Sequence, residues 1–216
     1  MSKFVLIFFT LWINRGVYSQ TVSNPDLDLH RNFSEINLGD NYKKWEKFLF
    51  NKEVHNERAF SYTFKSDSCC NTVFDNPTSL VWITFQDNKV ASIRIELKNF
   101  LEGKKMTTRA DMKVAVQSAI TKYVTITKRF STLFGEPYAS RTNEQDIPNE
   151  PASIEQWMGA NTFLETNYYY YEAVYPPTRT VGPATGLTEK LEETKDKTVI
   201  ILSDLNYLKN KLKSGF

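Results

Sequence analysis

The stretch Leu80–Leu97, LVWITFQDNKVASIRIEL, decides the fold. Val81, Trp82, Ile83, Thr84 and Phe85 are β-branched or aromatic, the types that suit a pleated, half-buried surface. From Val90 the pattern alternates and sets Ile93, Ile95 and Leu97 on one face. Asp87-Asn88 between the runs is turn chemistry, because short polar side chains tolerate left-handed backbone. Two strands joined this way predict a hairpin. Just upstream, Phe60, Tyr62 and Phe64 alternate with polar neighbours and add a third strand.

Downstream, the spacing predicts a long helix over 108–134. Met112, Val116, Ala119, Ile120, Tyr123, Ile126, Phe130, Leu133 and Phe134 form one stripe at helical period. Thr108 with Asp111 resembles a capping box, and Asp111 complements the positive helix start. Gly135 and Pro137 stop the helix, the first by permitting a left-handed turn, the second by blocking continuation. Tyr123 to Thr127 also alternates and is rich in β-branching, so this part fits a strand as well.

Working outward, Tyr42, Trp45, Phe48 and Leu49 have the spacing of an amphipathic helix over 40–50, with Asp40 as its N-cap. Ile154 to Met158 and Phe163 to Glu172 flank Gly159-Ala160-Asn161 and predict a second hairpin. Residues 141–151 read as a polar loop. Residues 173–186, with Pro176-Pro177, Gly182-Pro183 and Gly186, read as a long one. The charged stretch 188–197 suits a short helix or a flap. Thr198 to Leu202 is a buried strand, and Ser203 or Asp204 caps a last helix bearing Leu205, Leu208 and Leu212. The class is therefore α+β: a hairpin-linked, mostly antiparallel sheet with a long helix packed on one face. Strands followed by a helix occur twice, in halves whose sequences do not match.

At the N-terminus, Lys3 precedes an apolar run from Phe4 to Ile13 broken only by Thr10, and Val17-Tyr18-Ser19 ends on a small residue before Gln20. That layout predicts a cleavable signal peptide over 1–19; a spanning helix needs about 20 apolar residues. An extended arm over 20–38 and one globular domain over 39–216 follow. The leader resembles those of exported proteins of Gram-negative bacteria, which implies a periplasmic or extracellular product. The run carries no cysteine for a lipid anchor. The sole glycosylation triplet is Asn32-Phe33-Ser34.

The chain has 216 residues, 41% hydrophobic and 14% aromatic, enough for one real core. Its 27 basic and 25 acidic residues lose Lys3 and Arg15 with the leader and then balance. A balanced surface argues against a nucleic-acid partner, which requires a basic face. No later segment reaches membrane length, so no transmembrane segment is expected.

Four features could carry chemistry. Cys69-Cys70 is the only cysteine pair; it reads first as two small, partly buried side chains in a turn before Asn71, and in an oxidising compartment it can also close a disulfide between neighbours as a redox or ligand-gripping turn, or tether another chain. It is not C-x-x-C, so a thioredoxin-like role is unsupported. Asp26, Asp28 and His30 alternate, as do Glu53, His55 and Glu57, but neither set supplies a fourth metal ligand, and no metal or cofactor is expected. Tyr168, Tyr169, Tyr170 and Tyr171, with Tyr175 beyond, put two tyrosines on each side of a strand. One pair packs on the core, and the other could form an aromatic platform beside the 173–186 loop.

No hydrolase elbow, P-loop, dinucleotide glycine fingerprint or H-E-x-x-H motif occurs. Arg129–Pro137, RFSTLFGEP, followed by Gln156-Trp157 and the tyrosine strand, is similar to small envelope proteins such as the lipoprotein of the outer-membrane β-barrel assembly machine. In those a helix ends in a Leu-Gly-x-Pro-like stop and a Trp-bearing hairpin follows. The likeness covers under a third of the chain, which lacks the lipoprotein cysteine. The sequence thus points to an exported, non-enzymatic domain that binds an unidentified protein or small ligand. The alternatives are an envelope hydrolase with a carboxylate pair, which has no compulsory sequence spacing, and a thiol-linked assembly subunit.

Overall fold

The computed structural model describes residues 24–66, 69–101, 109–143, 150–171 and 195–213. The signal segment, Thr108, the 173–186 loop, Tyr175 and the stretch 188–194 lie outside these residues. The chain opens with helix α1 (Pro25–Leu29), the small hairpin β1 (Asn32–Phe33) and β2 (Ile36–Asn37), and helix α2 (Tyr42–Trp45). Next come β3 (Leu49–Asn56), β4 (Ala59–Phe64), β5 (Thr72–Val73), β6 (Asn76–Gln86), β7 (Lys89–Leu97) and helix α3 (Arg109–Phe134). Then follow β8 (Ala139–Thr142), β9 (Ser153–Met158), β10 (Thr162–Tyr171), β11 (Lys195–Asp204) and helix α4 (Leu205–Lys213).

The Leu80–Leu97 hairpin becomes β6 and β7, near the middle of an antiparallel nine-stranded sheet. The strand order is β3-β4-β6-β7-β11-β10-β9-β8, with β5 paired beside β6. Each half is a meander, and the halves meet where β7 pairs with β11, Ile93 opposite Leu202 and Ile95 opposite Ile200. The second expected hairpin is β9 and β10. The fold is α+β.

Alternation splits the sheet into two unlike faces. One carries Phe64, Val81, Ile83, Ile93, Ile95, Trp157, Leu164, Tyr168, Ile200 and Leu202, all buried in one core. Helix α3 meets this face. Its buried residues, Met112, Ala115, Ala119, Tyr123, Ile126, Phe130 and Phe134, recur every three or four positions. Tyr123 stacks on Tyr168 at 5.2 Å and reaches Thr166 Oγ1 at 3.1 Å, and Phe130 packs on Trp157 at 5.7 Å. Ala115, absent from the expected stripe, is in it; Ile120 and Leu133 flank it, 37% and 47% exposed. The Thr-rich part of α3 stays helical because its buried face carries Tyr123 and Ile126 against the core, while the Thr121 and Thr125 hydroxyls are satisfied by the carbonyls of Gln117 and Thr121 one turn back. Gly135 ends the helix at φ 73°, and its carbonyl accepts the indole N–H of Trp157 at 2.9 Å.

The N-terminal quarter departs from expectation. Residues 25–37 form α1 and the small hairpin rather than an extended arm, and Leu27, Ile36 and Leu38 are buried. The helix expected over 40–50 lasts one turn and a 3-10 turn, because Leu49 pairs with Phe64 to begin β3. The aromatics that suggested it instead cluster across the bend, Trp45 and Phe48 each 5.8 Å from Phe64. The N-cap is Asn41, whose side chain accepts from Lys43 N–H; Asp40 serves Asn37, Lys44 and Trp45 instead. No helix among the described residues is long and apolar enough to cross a membrane.

Candidate binding cleft

The second face of the sheet is polar, and hydroxyls run across its middle. Ser61, Thr84, Ser92 and Ser203 stand in register on the neighbouring strands β4, β6, β7 and β11. Ser61 Oγ lies 2.8 Å from Thr84 Oγ1, and Ser92 Oγ 2.8 Å from Ser203 Oγ. On edge strand β3, His55 Nε2 extends the row, 2.6 Å from Ser61 Oγ. Ser61, Ser92 and Ser203 are buried, whereas Thr84 is half-buried and His55 exposed. The row thus has a covered interior and a presented end.

Helix α4 walls this row. Asp204 Oδ1 accepts from Asn206 N–H at 2.8 Å and Tyr207 N–H at 3.3 Å, so Asp204, of the two expected candidates, is the cap. Its other oxygen pairs with Arg31 Nη2 at 2.6 Å. The helix buries none of its residues. Tyr207, Leu208 and Lys211 instead line a groove of about 410 Å³ above the hydroxyl row, with Trp82 and Phe163 as further apolar walls. A second, outer space of about 750 Å³ lies between α4 and the β3–β4 hairpin, bordered by Val54, Asn56, Gln86 and Asn210. His55, Tyr207 and Lys211 border both, so the two spaces adjoin along these residues, and together they are called the cleft.

Charges around the cleft are largely engaged. Arg94 pairs with Glu96 at 2.8 Å, and Lys197 reaches the same carboxylate at 2.9 Å. Both oxygens of Glu165 accept amide donors, from Gln156 and Asn167, each at 2.6 Å. Arg58 pairs with Asp87, and Lys211 also has a partner. Burial raises the Tyr207 phenol above its ordinary value of 10.0, so it stays a neutral donor at physiological pH.

The residues singled out from the sequence fall in several places. Tyr168 is buried against Tyr123, and burial holds its phenol far above the ordinary value. Tyr170 is half-buried against the core. Tyr169 lies on the polar face, beyond Phe163 and Glu165 on the same strand. Tyr171 closes β10. Cys69 and Cys70 are joined to each other and both are buried, leaving no free cysteine. The Asp26-Asp28-His30 alternation is lost because α1 coils it: Asp28 accepts Ala160 N–H at 2.6 Å and Asn161 N–H at 2.9 Å, and His30 packs 5.7 Å from Phe134. Among the described residues no three His, Cys, Asp or Glu side chains gather as a metal site.

The hydroxyl row escaped the sequence reading. Alternation in β6 and β7 does mark Thr84, Ser92 and Arg94 as facing away from the core. Nothing local joins them to Ser203, which pairs with Ser92 from 111 residues away. No family model matches the sequence, and no curated protein or solved structure is significantly similar to it.

Proposed function

We propose that the chain is an exported, non-enzymatic binding domain that takes its ligand in the cleft between α4 and the β3–β4 hairpin. One observation carries this reading. The sheet face opposite α3 holds a groove with apolar walls at Trp82, Phe163 and Tyr207 and convergent polar groups at His55 and Thr84. Apolar walls with a few fixed polar groups are the general composition of ligand sites. The leader-like start and the bonded cysteine pair both suit an oxidising compartment. That bond also removes support for a thiol-linked subunit. Carboxylate hydrolysis is disfavoured by position. Glu53 on β3 and Glu165 on β10 stand five strand intervals apart, about 24 Å along the sheet, where a glycosidase pair needs roughly 5–9.5 Å.

A fragment screen read on isotope-labelled protein by NMR tests the site. Hits should move the Trp82 indole and the Tyr207 amide together. Hits that gather elsewhere, or none at all, would sink the cleft as a binding site.

A further inference from the structure

The cleft's uncharged polar groups share one property: each can both donate and accept. In the pairs Ser61–Thr84 and Ser92–Ser203 either hydroxyl could be the donor, though the second pair is buried and only Thr84 of the first is open to a ligand. After its internal bond a pair still has a proton to give and lone pairs to receive, and the giving end can change. His55 continues this at the row's exposed end, since its role toward Ser61 depends on its tautomer. The outer space adds the amides of Asn56, Gln86 and Asn210, which also donate and accept. The charges nearest the floor are mixed in sign and already hydrogen-bonded: Arg94 and Lys197 share Glu96, and Glu165, still an anion, accepts from two amides. Glu53 and Glu57 stand exposed at the rim, where water screens them. A charged ligand therefore finds few free counter-charges, whereas a ligand bearing hydroxyls finds a partner in either sense at each step.

Trp82, Phe163 and Tyr207 supply flat apolar surfaces beside that floor. We infer that the cleft binds a neutral oligosaccharide, ring faces against these aromatics and hydroxyls along the His55–Ser61–Thr84 chain; this rests on the cleft being the binding site. The accessible members of the row, His55 and Thr84, stand two strand intervals apart, about 10 Å, which suits about two linked rings.

Calorimetry on the full mature protein provides the test. The probes are neutral tetrasaccharides (β-1,4-glucan, α-1,4-glucan, β-1,4-linked N-acetylglucosamine), with tetragalacturonate and citrate as anionic controls. At least one neutral sugar should bind saturably and the anions more weakly. Thr84→Val, which keeps shape and removes the hydroxyl, should weaken binding about tenfold with the fold intact by circular dichroism. Trp82→Ala should abolish it. Anions binding while neutral sugars stay silent would overturn the carbohydrate assignment. Silence from every sugar while fragments still shift Trp82 would also overturn it and leave the cleft standing. Sugar binding untouched by both substitutions would remove the cleft itself, as would silence from sugars and fragments alike.

Discussion

Asp40 concentrates three hydrogen bonds on one oxygen, from Asn37 N–H at 3.0 Å, Lys44 Nζ at 2.9 Å and Trp45 Nε1 at 3.1 Å. Burial alone would raise its carboxyl, but Lys44, Asn37 and Trp45 outweigh it and hold the group below the ordinary 3.8. A depressed carboxyl stabilises the fold above the unfolded value, and that stability is lost as pH falls through the folded one. Asp40→Asn should therefore cost about 1–2 kcal/mol at neutral pH, with the difference from wild type shrinking below pH 3.8. Urea unfolding at pH 7 and pH 3 checks this; a constant difference would refute it. Glu155 has the opposite sign. Burial raises it above 4.5, and the charge of Glu136 adds to that, against one hydrogen bond from Ser140. Its ionisation opposes folding as pH rises above 4.5, so Glu155→Gln should stabilise the protein at pH 7 and have little effect at pH 4. Neither environment is legible in the sequence: Asp40 looks like a helix cap, and Glu155 is one polar residue in an alternating strand.

Helix α4 buries no residue fully and only half-buries Leu205, Tyr207 and Leu208, so its cap should carry much of its stability. Asp204→Ala removes both first-turn acceptor bonds and the Arg31 pair, at a cost of about 1–2 kcal/mol. Hydrogen exchange across Leu205–Lys213 should rise about tenfold or more while the core strands keep their protection. Unchanged exchange there would mean that contacts along the cleft, not the cap, hold this wall. The same contrast between packing and local chemistry explains which elements the sequence revealed. The β6–β7 hairpin and α3 were legible because each buries one face, so apolar residues recur at the element's own period. Strand β3 was missed because it is an exposed edge, only Leu49 half-buried, with register shifts after Phe50 and Val54 that erase alternation. Strand β8 is four residues long, mostly exposed, and gave no signal either. The cleft lies between α4 and the β3–β4 hairpin; α4 and β4 have readable periods, but the edge strand β3 does not, and nothing local brings α4 beside it, so the cleft's position could not be read from periodicity.

The strand order reads outward from the centre as β7, β6, β4, β3 on one side and β11, β10, β9, β8 on the other. Each four-strand run is followed by a helix, so the doubled plan in the sequence is a doubled plan in space. The helices bridge the two halves: within the first half Phe130 of α3 packs 4.8 Å from Phe74 and Arg129 pairs with Asp75, and each helix also reaches across. Helix α3 follows the first half, yet its Tyr123 and Phe130 rest on Tyr168 and Trp157 of the second. Helix α4 follows the second half, yet Tyr207 and Lys211 face His55 and Gln86 of the first. At the N-terminus, Asp28 closes the β9–β10 turn. With β7 hydrogen-bonded to β11 down the middle, neither half owns a complete core. The two should therefore unfold together, although their sequences differ. Trp45 and Trp82 report on the first half and Trp157 on the second. In variants that keep one of these tryptophans and carry Phe at the others, normalised fluorescence curves in urea should superimpose on each other and on the far-ultraviolet dichroism. If the Trp157 curve separates from the Trp82 curve, one half holds a core without the other, and the bridging of the seam by the helices is not what stabilises the sheet.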